Sequence, residues 1–497
     1  MKRYCFLIIT ILLVSCSSEF LDIDPKGTMY AESFYATGDE LEMAVTALYW
    51  SFQDWSEYSD DMVCTAAGND KTSNFDNWKE VDVFDAESDN AELGLNYSDL
   101  YIMINSCNEI LENYEDADAS DAVKDVCAAQ AHFFRAMAYF HLVRIYKMLP
   151  LVTSSSDAVL DLELTDSEEI YDVIISDLKI AETDLPDNWD SDSKRAGVAV
   201  TNGGAKSLLA YVYLCEAGYP VNKDGAYALA AAKAKDVIDN ASTWGYKLME
   251  NIEDLYSADY NYENKSCDEV VLASYSENGY GCVKASMPGE YGGWQVYYAE
   301  INFFENYPEC ARKDAIFMSD FPMKDGTVKH YTELASGHPY YKQYWDGDDS
   351  KINWSKIWEG ADWKNGRPQV LLTHANTLLV YAEAKVMSSG IVDATAEDAL
   401  NQVRNRAGLP DVTTGLDAEA FRDSVVLERS YEFCGGYFTI DPWYDLVRLE
   451  RVEKSIDNRD ESENTIVNPI TKRRYFSPYP YNDYAKNPNL TWGTWQK

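Results

Sequence analysis

Four stretches with apolar residues three and four positions apart arrive as two adjacent pairs, and this pairing limits the chain to a helix-on-helix architecture. In the first pair, Ala205, Leu208, Leu209 and Val212 share one face, and Gly218 and Pro220 stop the helix. Asp224 is placed to cap the next helix, where Tyr227, Ala230, Ala231, Ala234 and Val237 repeat the spacing. In the second pair, Leu371, Leu372, Ala375, Leu378, Leu379 and Ala382 form one face, with Gly390 just beyond. Thr395 and Asp398 resemble a capping box for a helix carrying Ala399 and Val403, which Gly408 and Pro410 end. Small residues on facing helices let backbones approach closely, so two such hairpins suggest tetratricopeptide-like packing.

Further helices are expected at 97–114, 121–147 and 166–184. The second carries Val126, Ala129, Phe133, Met137, Phe140 and Val143 on one stripe and ends at Pro150. Strand-like alternation is scarce. A different region, about 241–369, is rich in Gly, Asp, Tyr and Trp. A long irregular stretch inside a helical protein usually carries function. The expected fold is mainly α: a tetratricopeptide-like helical-repeat scaffold with long irregular loops.

The N-terminus reads as an address. Lys2 and Arg3 precede the apolar run Phe6 to Val14, and Leu13-Val14-Ser15-Cys16 follows the pattern of a bacterial lipoprotein signal. The run is too short to span a bilayer and reads as a cleaved export segment. The expected organisation is therefore a signal peptide at 1–15, an acylated Cys16 with a polar tether at 16–26, and one domain at 27–497. The loop-rich insert at 241–369 belongs to that domain. Such a protein sits on a membrane by a lipid anchor.

The formal net charge is −42, and losing Lys2 and Arg3 with the signal takes it to −44. That argues against nucleic acid and against a peripheral hold on anionic lipid. No Cys-x-x-Cys pair occurs, so a zinc ribbon or thiol-redox site has no support. Cys107, Cys127 and Cys215 lie in helical patterns and read as small core residues, whereas Cys267, Cys282 and Cys310 fall where pairing is open.

Enzyme motifs are largely missing: the chain has no GxSxG elbow, no HExxH, no Walker loop and no complete GxGxxG. Among 84 Asp and Glu a pair suited to glycoside hydrolysis is neither shown nor excluded. The loop Asp346-Gly347-Asp348-Asp349 is a candidate for structural calcium, but it misses the EF-hand spacing, and a solvated turn is the simpler reading. No cofactor is expected.

The positive signal is aromatic. Tyr275, Tyr280, Tyr291, Trp294, Tyr297 and Tyr298 fall in one loop-rich stretch. Tyr340, Tyr341, Tyr344, Trp345, Trp354, Trp358 and Trp363 fall in another. The C–H face of a sugar packs on indole and phenol rings, and its hydroxyls take Asn, Asp, Gln or Arg. Any single ring is more simply a core residue. The set as a whole suggests at least one exposed platform.

The chain resembles the SusD/RagB family, the surface glycan-binding lipoproteins that partner TonB-dependent transporters, over nearly its whole length. Behind the lipoprotein cysteine come Phe20-Leu21-Asp22, then the Ala44 to Trp50 stretch. The most specific block is Phe134-Arg135-Ala136-Met137-Ala138-Tyr139-Phe140, continuing through Val143-Arg144-Ile145-Tyr146 to Pro150-Leu151-Val152. Leu379 to Ala384, Leu400 to Gly408, Glu428-Arg429 with Tyr431-Glu432-Phe433, Trp443 to Arg448 and Asn487 to Leu490 follow in the family's order. Departures fall at Thr373 to Asn376, at Cys434 to Pro442 and at the terminus Trp492-Gly493-Thr494-Trp495. Arg135 and Arg144 read as packing or ion-pair residues.

The resemblance implies four tetratricopeptide-like helix pairs, a ligand site in irregular loops, an outer-membrane surface location and a SusC-like TonB-dependent transporter as partner. It implies capture of an oligosaccharide or polysaccharide without bond breaking. Because the family's binding residues lie in variable loops, the candidate site residues rest on position and chemistry. They are Asp70, Asn74 and Trp78 in the first loop. Tyr280, Tyr291, Trp294 and Tyr297 stand in the second, and Tyr344, Trp345 and Asp346 in the third. The alternatives are a peptide-binding protein on the same scaffold, a surface glycoside hydrolase, and a purely structural tetratricopeptide partner protein.

Overall fold

The computed structural model describes residues 34–57, 72–74, 79–90, 95–157, 161–257, 259–260, 267–275, 284, 286–359, 367–435 and 439–491. Ten helices carry the scaffold: α1 Gly38–Glu57, α2 Leu95–Asn113, α3 Asp121–Tyr146, α4 Ser167–Asp184, α5 Asn202–Glu216, α6 Ala226–Asp239, α7 His374–Ser389, α8 Ala394–Arg406, α9 Ala418–Glu432 and α10 Pro442–Arg448. Neighbours in sequence pack as neighbours in space. The helices α2, α3, α4, α5 and α6 each lie against the next, and α7 lies on α6, α8 and α9. This is the mainly α, tetratricopeptide-like scaffold expected from the helix pairs.

The expected stripe of α3 is in fact a helix buried from Cys127 to Tyr146 at every position but the half-buried His132. A helix that is buried all round belongs to the centre of a large core. Most of its polar groups are paired, as burial requires. Arg135 donates to Asp177 on α4 through two hydrogen bonds of 2.8 Å and to Asn108 on α2 through a third. Arg144 lies between the rings of Phe140 and Tyr444, 3.8 and 3.9 Å from their centroids. Both arginines do structural work.

Three boundaries differ from the sequence reading. Leu371 and Leu372 are not helical: they belong to the strand β8 Gln369–Thr373, which pairs antiparallel with β2 Val270–Ser274. A short apolar run buried on both faces has no period that separates strand from helix. Thr373 marks the switch, its hydroxyl accepting the Asn376 N–H as the cap of α7. The cap of α8 is Asp393, whose carboxylate accepts from the N–H groups of Thr395 and Ala396, rather than the box of Thr395 and Asp398. At α6 the cap is Gly225 at φ +83°, rather than Asp224. There the chain needs a left-handed residue, which glycine supplies without strain.

The remaining strands form three short antiparallel ladders among the described residues. β1 Thr72–Asn74 pairs with β3 Tyr297–Ala299, β4 Phe317–Met318 with β7 Tyr340–Tyr341, and β5 Asp320–Pro322 with β6 Val328–His330. A second apolar cluster gathers Met287, Tyr291, Tyr298, Phe321, Tyr340 and Trp345, separate from the main helical core. The loop-rich insert thus has its own small core. Of the described cysteines, Cys107, Cys127, Cys215, Cys267 and Cys310 are free thiols. Cys282 lies outside the described residues.

Candidate functional site

A tight turn presents the exposed ring of the insert. Residues Gly289–Tyr291 make one 3₁₀ turn, closed by Gly292 at φ +78°. The Gly293 N–H then bonds back to the Pro288 carbonyl at 3.1 Å. A Cβ on Gly293 would stand 2.1 Å from the Met287 carbonyl oxygen, so only glycine allows this approach. Tyr291 is the anchor, buried with its hydroxyl on the Pro322 carbonyl at 2.7 Å. Burial raises its phenol above the usual range. Three residues on, Trp294 is 60 % exposed, with the Lys284 ammonium 5.9 Å from its ring centroid. The Trp294 backbone N–H donates to the Lys284 carbonyl at 2.8 Å.

Directly after this turn the chain enters β3, and the register of the β1–β3 ladder sets Asn74 opposite Tyr297. Two candidate residues separated by more than two hundred positions are thereby brought to one ladder, beside Trp294. Behind the ladder, Tyr298 lies on the His338 ring at 4.1 Å between centroids. His338 in turn meets Glu463 through Nε2 at 3.0 Å. Arg459 completes this support by pairing with Asp82 at 3.1 Å. Burial outweighs Arg459 and raises the Asp82 carboxyl above the ordinary aspartate value. This buried polar cluster, drawn from three distant segments, left no local pattern in the sequence.

The other candidates separate by environment. Asp70, Trp78, Tyr280 and Cys16 lie outside the described residues. Trp345 is interior, its indole N–H donating to the Ser286 carbonyl at 3.2 Å and its ring edge-on to Tyr291 and Trp354. Tyr344 is half-buried and donates its hydroxyl to the Gly435 carbonyl. Asp346 is buried and accepts the Asp348 N–H at 2.9 Å. Asp348 likewise serves its own turn through Ser350, and Lys342 pairs with Asp349. Among the described residues no cluster of three or more His, Cys, Asp or Glu is arranged to hold a metal ion. The second aromatic stretch therefore builds the small core, and the first supplies the exposed ring.

Trp50 on α1 is a second exposed indole, at 66 %, that the sequence reading passed over. Its signal is its phase: Leu41, Val45, Leu48, Phe52 and Trp55 hold the buried stripe of α1, and Trp50 falls off it.

Comparison with known proteins agrees with this architecture. Residues 19–214 match a family model described as starch-binding and associating with the outer membrane, and residues 370–493 match the model of the SusD family. A SusD-like protein P2 of Formosa agariphila is 25 % identical over 536 residues, spanning 99 % of each chain. A SusD homolog from Bacteroides thetaiotaomicron superposes with a TM-score of 0.74 at 19 % identity, covering 93 % of this chain and 97 % of that one. A chain crystallised with a xylogluco-oligosaccharide gives a TM-score of 0.71 at 23 % identity, covering 91 % and 98 %. Two models at opposite ends, a relative aligned from end to end and a shared helical scaffold lead to one conclusion: the chain belongs to the SusD/RagB family.

Proposed function

We propose that this protein binds a glycan at the cell surface and passes it to a SusC-like TonB-dependent transporter, without cleaving it. The observation that carries the reading is the exposed Trp294 on a glycine-locked turn, next to the ladder that sets Asn74 opposite Tyr297. An indole face offers a pyranose ring contact area at low entropic cost, because the turn already holds it in place. Family membership supports a glycan as the ligand class, and the solved relative with a xylogluco-oligosaccharide shows the scaffold in company with such a ligand. The lipoprotein signal at Cys16 supports outer-membrane anchoring, and no helix among the described residues is long and apolar enough to cross a membrane.

The test is affinity electrophoresis of the purified protein against neutral, acidic and amino polysaccharides. Retardation by at least one glycan, clearly weakened in Trp294→Ala, is the expected result. No retardation by any of them, with capture of a peptide mixture instead, would replace glycan by peptide as the ligand.

A further inference from the structure

Two depressions share Val198, Ala199, Ala273 and Tyr275 in their walls and so form one trough. The part against α1 has a volume of about 480 Å³, and the part against Trp189 and Trp244 about 230 Å³. The first alone falls within the roughly 300–1,000 Å³ usual for small-ligand sites. None of the residues lining the trough belongs to the Trp294 turn or to the β1–β3 ladder.

The walls are held by buried hydrogen bonds. Gln130, wholly buried on α3, accepts through Oε1 from the Tyr49 hydroxyl at 2.9 Å and from Arg195 at 2.5 Å. Tyr49 also accepts the Val200 N–H at 3.1 Å, which fastens the segment 193–200 to α1. The rings are fixed as well. Trp189 donates its indole N–H to the Val200 carbonyl at 3.0 Å, and Trp244 donates to Asn202 Oδ1 at 2.8 Å while stacking on Tyr246. Against this rigid frame Trp50 is free to offer its indole face to a ligand.

We infer that this trough is a second glycan-binding site, in which Trp50 stacks on a sugar ring and Glu42, Gln53 and Lys194 take its hydroxyls. The inference rests on the glycan reading of the Trp294 site and extends it to a second contact. Rings rimmed by polar groups suit a sugar chain, which needs an apolar face and many hydrogen bonds together. Charge argues against the main alternative, a basic peptide. In a chain of net charge −42, this trough is balanced, with two cations, Lys194 and Arg195, against two carboxylates, Glu42 and Asp268. Two sites on one surface raise retention of a long chain through effective concentration, with no gain for a short one.

Isothermal titration with a short oligosaccharide of the retained glycan tests this on wild type, Trp50→Ala, Trp294→Ala and the double variant. Two ligands per wild-type chain, one per single variant and none in the double variant are expected. Trp50→Ala should also weaken retention of the parent polysaccharide by about tenfold. Thr46→Trp, which fills the trough from the exposed side of α1, should reproduce the Trp50→Ala result and guards against a folding artefact. Glycan binding that neither Trp50→Ala nor Thr46→Trp alters would overturn the second site and leave the Trp294 site standing. A wild-type chain that binds no glycan would overturn both readings, and peptide displaced from the trough by Thr46→Trp would overturn the sugar assignment.

Discussion

Glu383 and Arg448, 65 positions apart, meet in the interior as a bidentate pair with both hydrogen bonds at 2.6 Å. Arg448 also donates to Asp445 at 2.8 Å, and Asp445 accepts from Arg429 at 2.6 Å. Arg406 joins Glu269 and Glu432, Arg404 joins Glu428, and Arg312 bridges Glu428 and Glu432. The charged residues Glu383, Arg404, Arg406, Glu428, Arg429, Glu432, Asp445 and Arg448 of the blocks that resemble the family thus fall into two ion-pair clusters. They hold α7, α8, α9 and α10 together.

Glu383→Ala should destabilise the fold by about 3–5 kcal/mol, because it strands a buried guanidinium. Urea unfolding of the variant against wild type measures this. A loss below about 1 kcal/mol would mean that water reaches Arg448.

Exposed and interior tryptophans should behave in opposite ways. Trp345→Ala removes a packed ring and should cost about 3–5 kcal/mol. Trp294→Ala should change stability by less than about 0.5 kcal/mol, as surface substitutions do. It should nevertheless weaken retardation by the bound glycan at least tenfold. Thermal unfolding beside affinity electrophoresis separates the two effects.

The turn can be altered without touching its tryptophan. In Gly293→Ala the new Cβ would meet the Met287 carbonyl at 2.1 Å, so the turn must open and re-aim Trp294. Glycan retention should fall at least tenfold while the helical circular dichroism stays that of wild type. Undiminished retention would show that the Trp294 orientation is not needed.

Stability should depend on pH through His374. Burial at the start of α7 lowers its imidazole to about 4. The unfolded chain titrates near its ordinary value of about 6.5, so the unfolded state binds the proton first. The contribution is fully present above pH ~6.5 and is lost as pH falls from there toward 4. It amounts to about 3 kcal/mol across that window. His374→Gln should flatten urea midpoints between pH 6.5 and 4, and an unchanged slope would rule out this histidine as the cause.

Several helices were readable from periodicity because each buries a stripe that local spacing records. Asp121–Tyr146 and Ser167–Asp184 match the expected spans almost to the residue. Caps were less legible. Asp224 and Gly225 are neighbours, and only the backbone angle tells which one starts α6. The strand at Leu371 and Leu372 was hidden because β2, its partner, lies a hundred positions away.

For the site, sequence marked the aromatic stretches and could not sort them. Trp294 and Trp345 are the same residue type in similar company, yet one is exposed and the other is sealed against Tyr291. What the sequence determined by itself is what short-range order encodes: the helix periods, the charge and the ordered blocks of the SusD/RagB family. What only the tertiary structure decided depends on contacts between distant segments. These are the register that sets Asn74 against Tyr297, the buried ion pairs, and which rings face water. The physical reason is that burial and strand register are properties of partners, and a residue's partners are chosen by the whole fold.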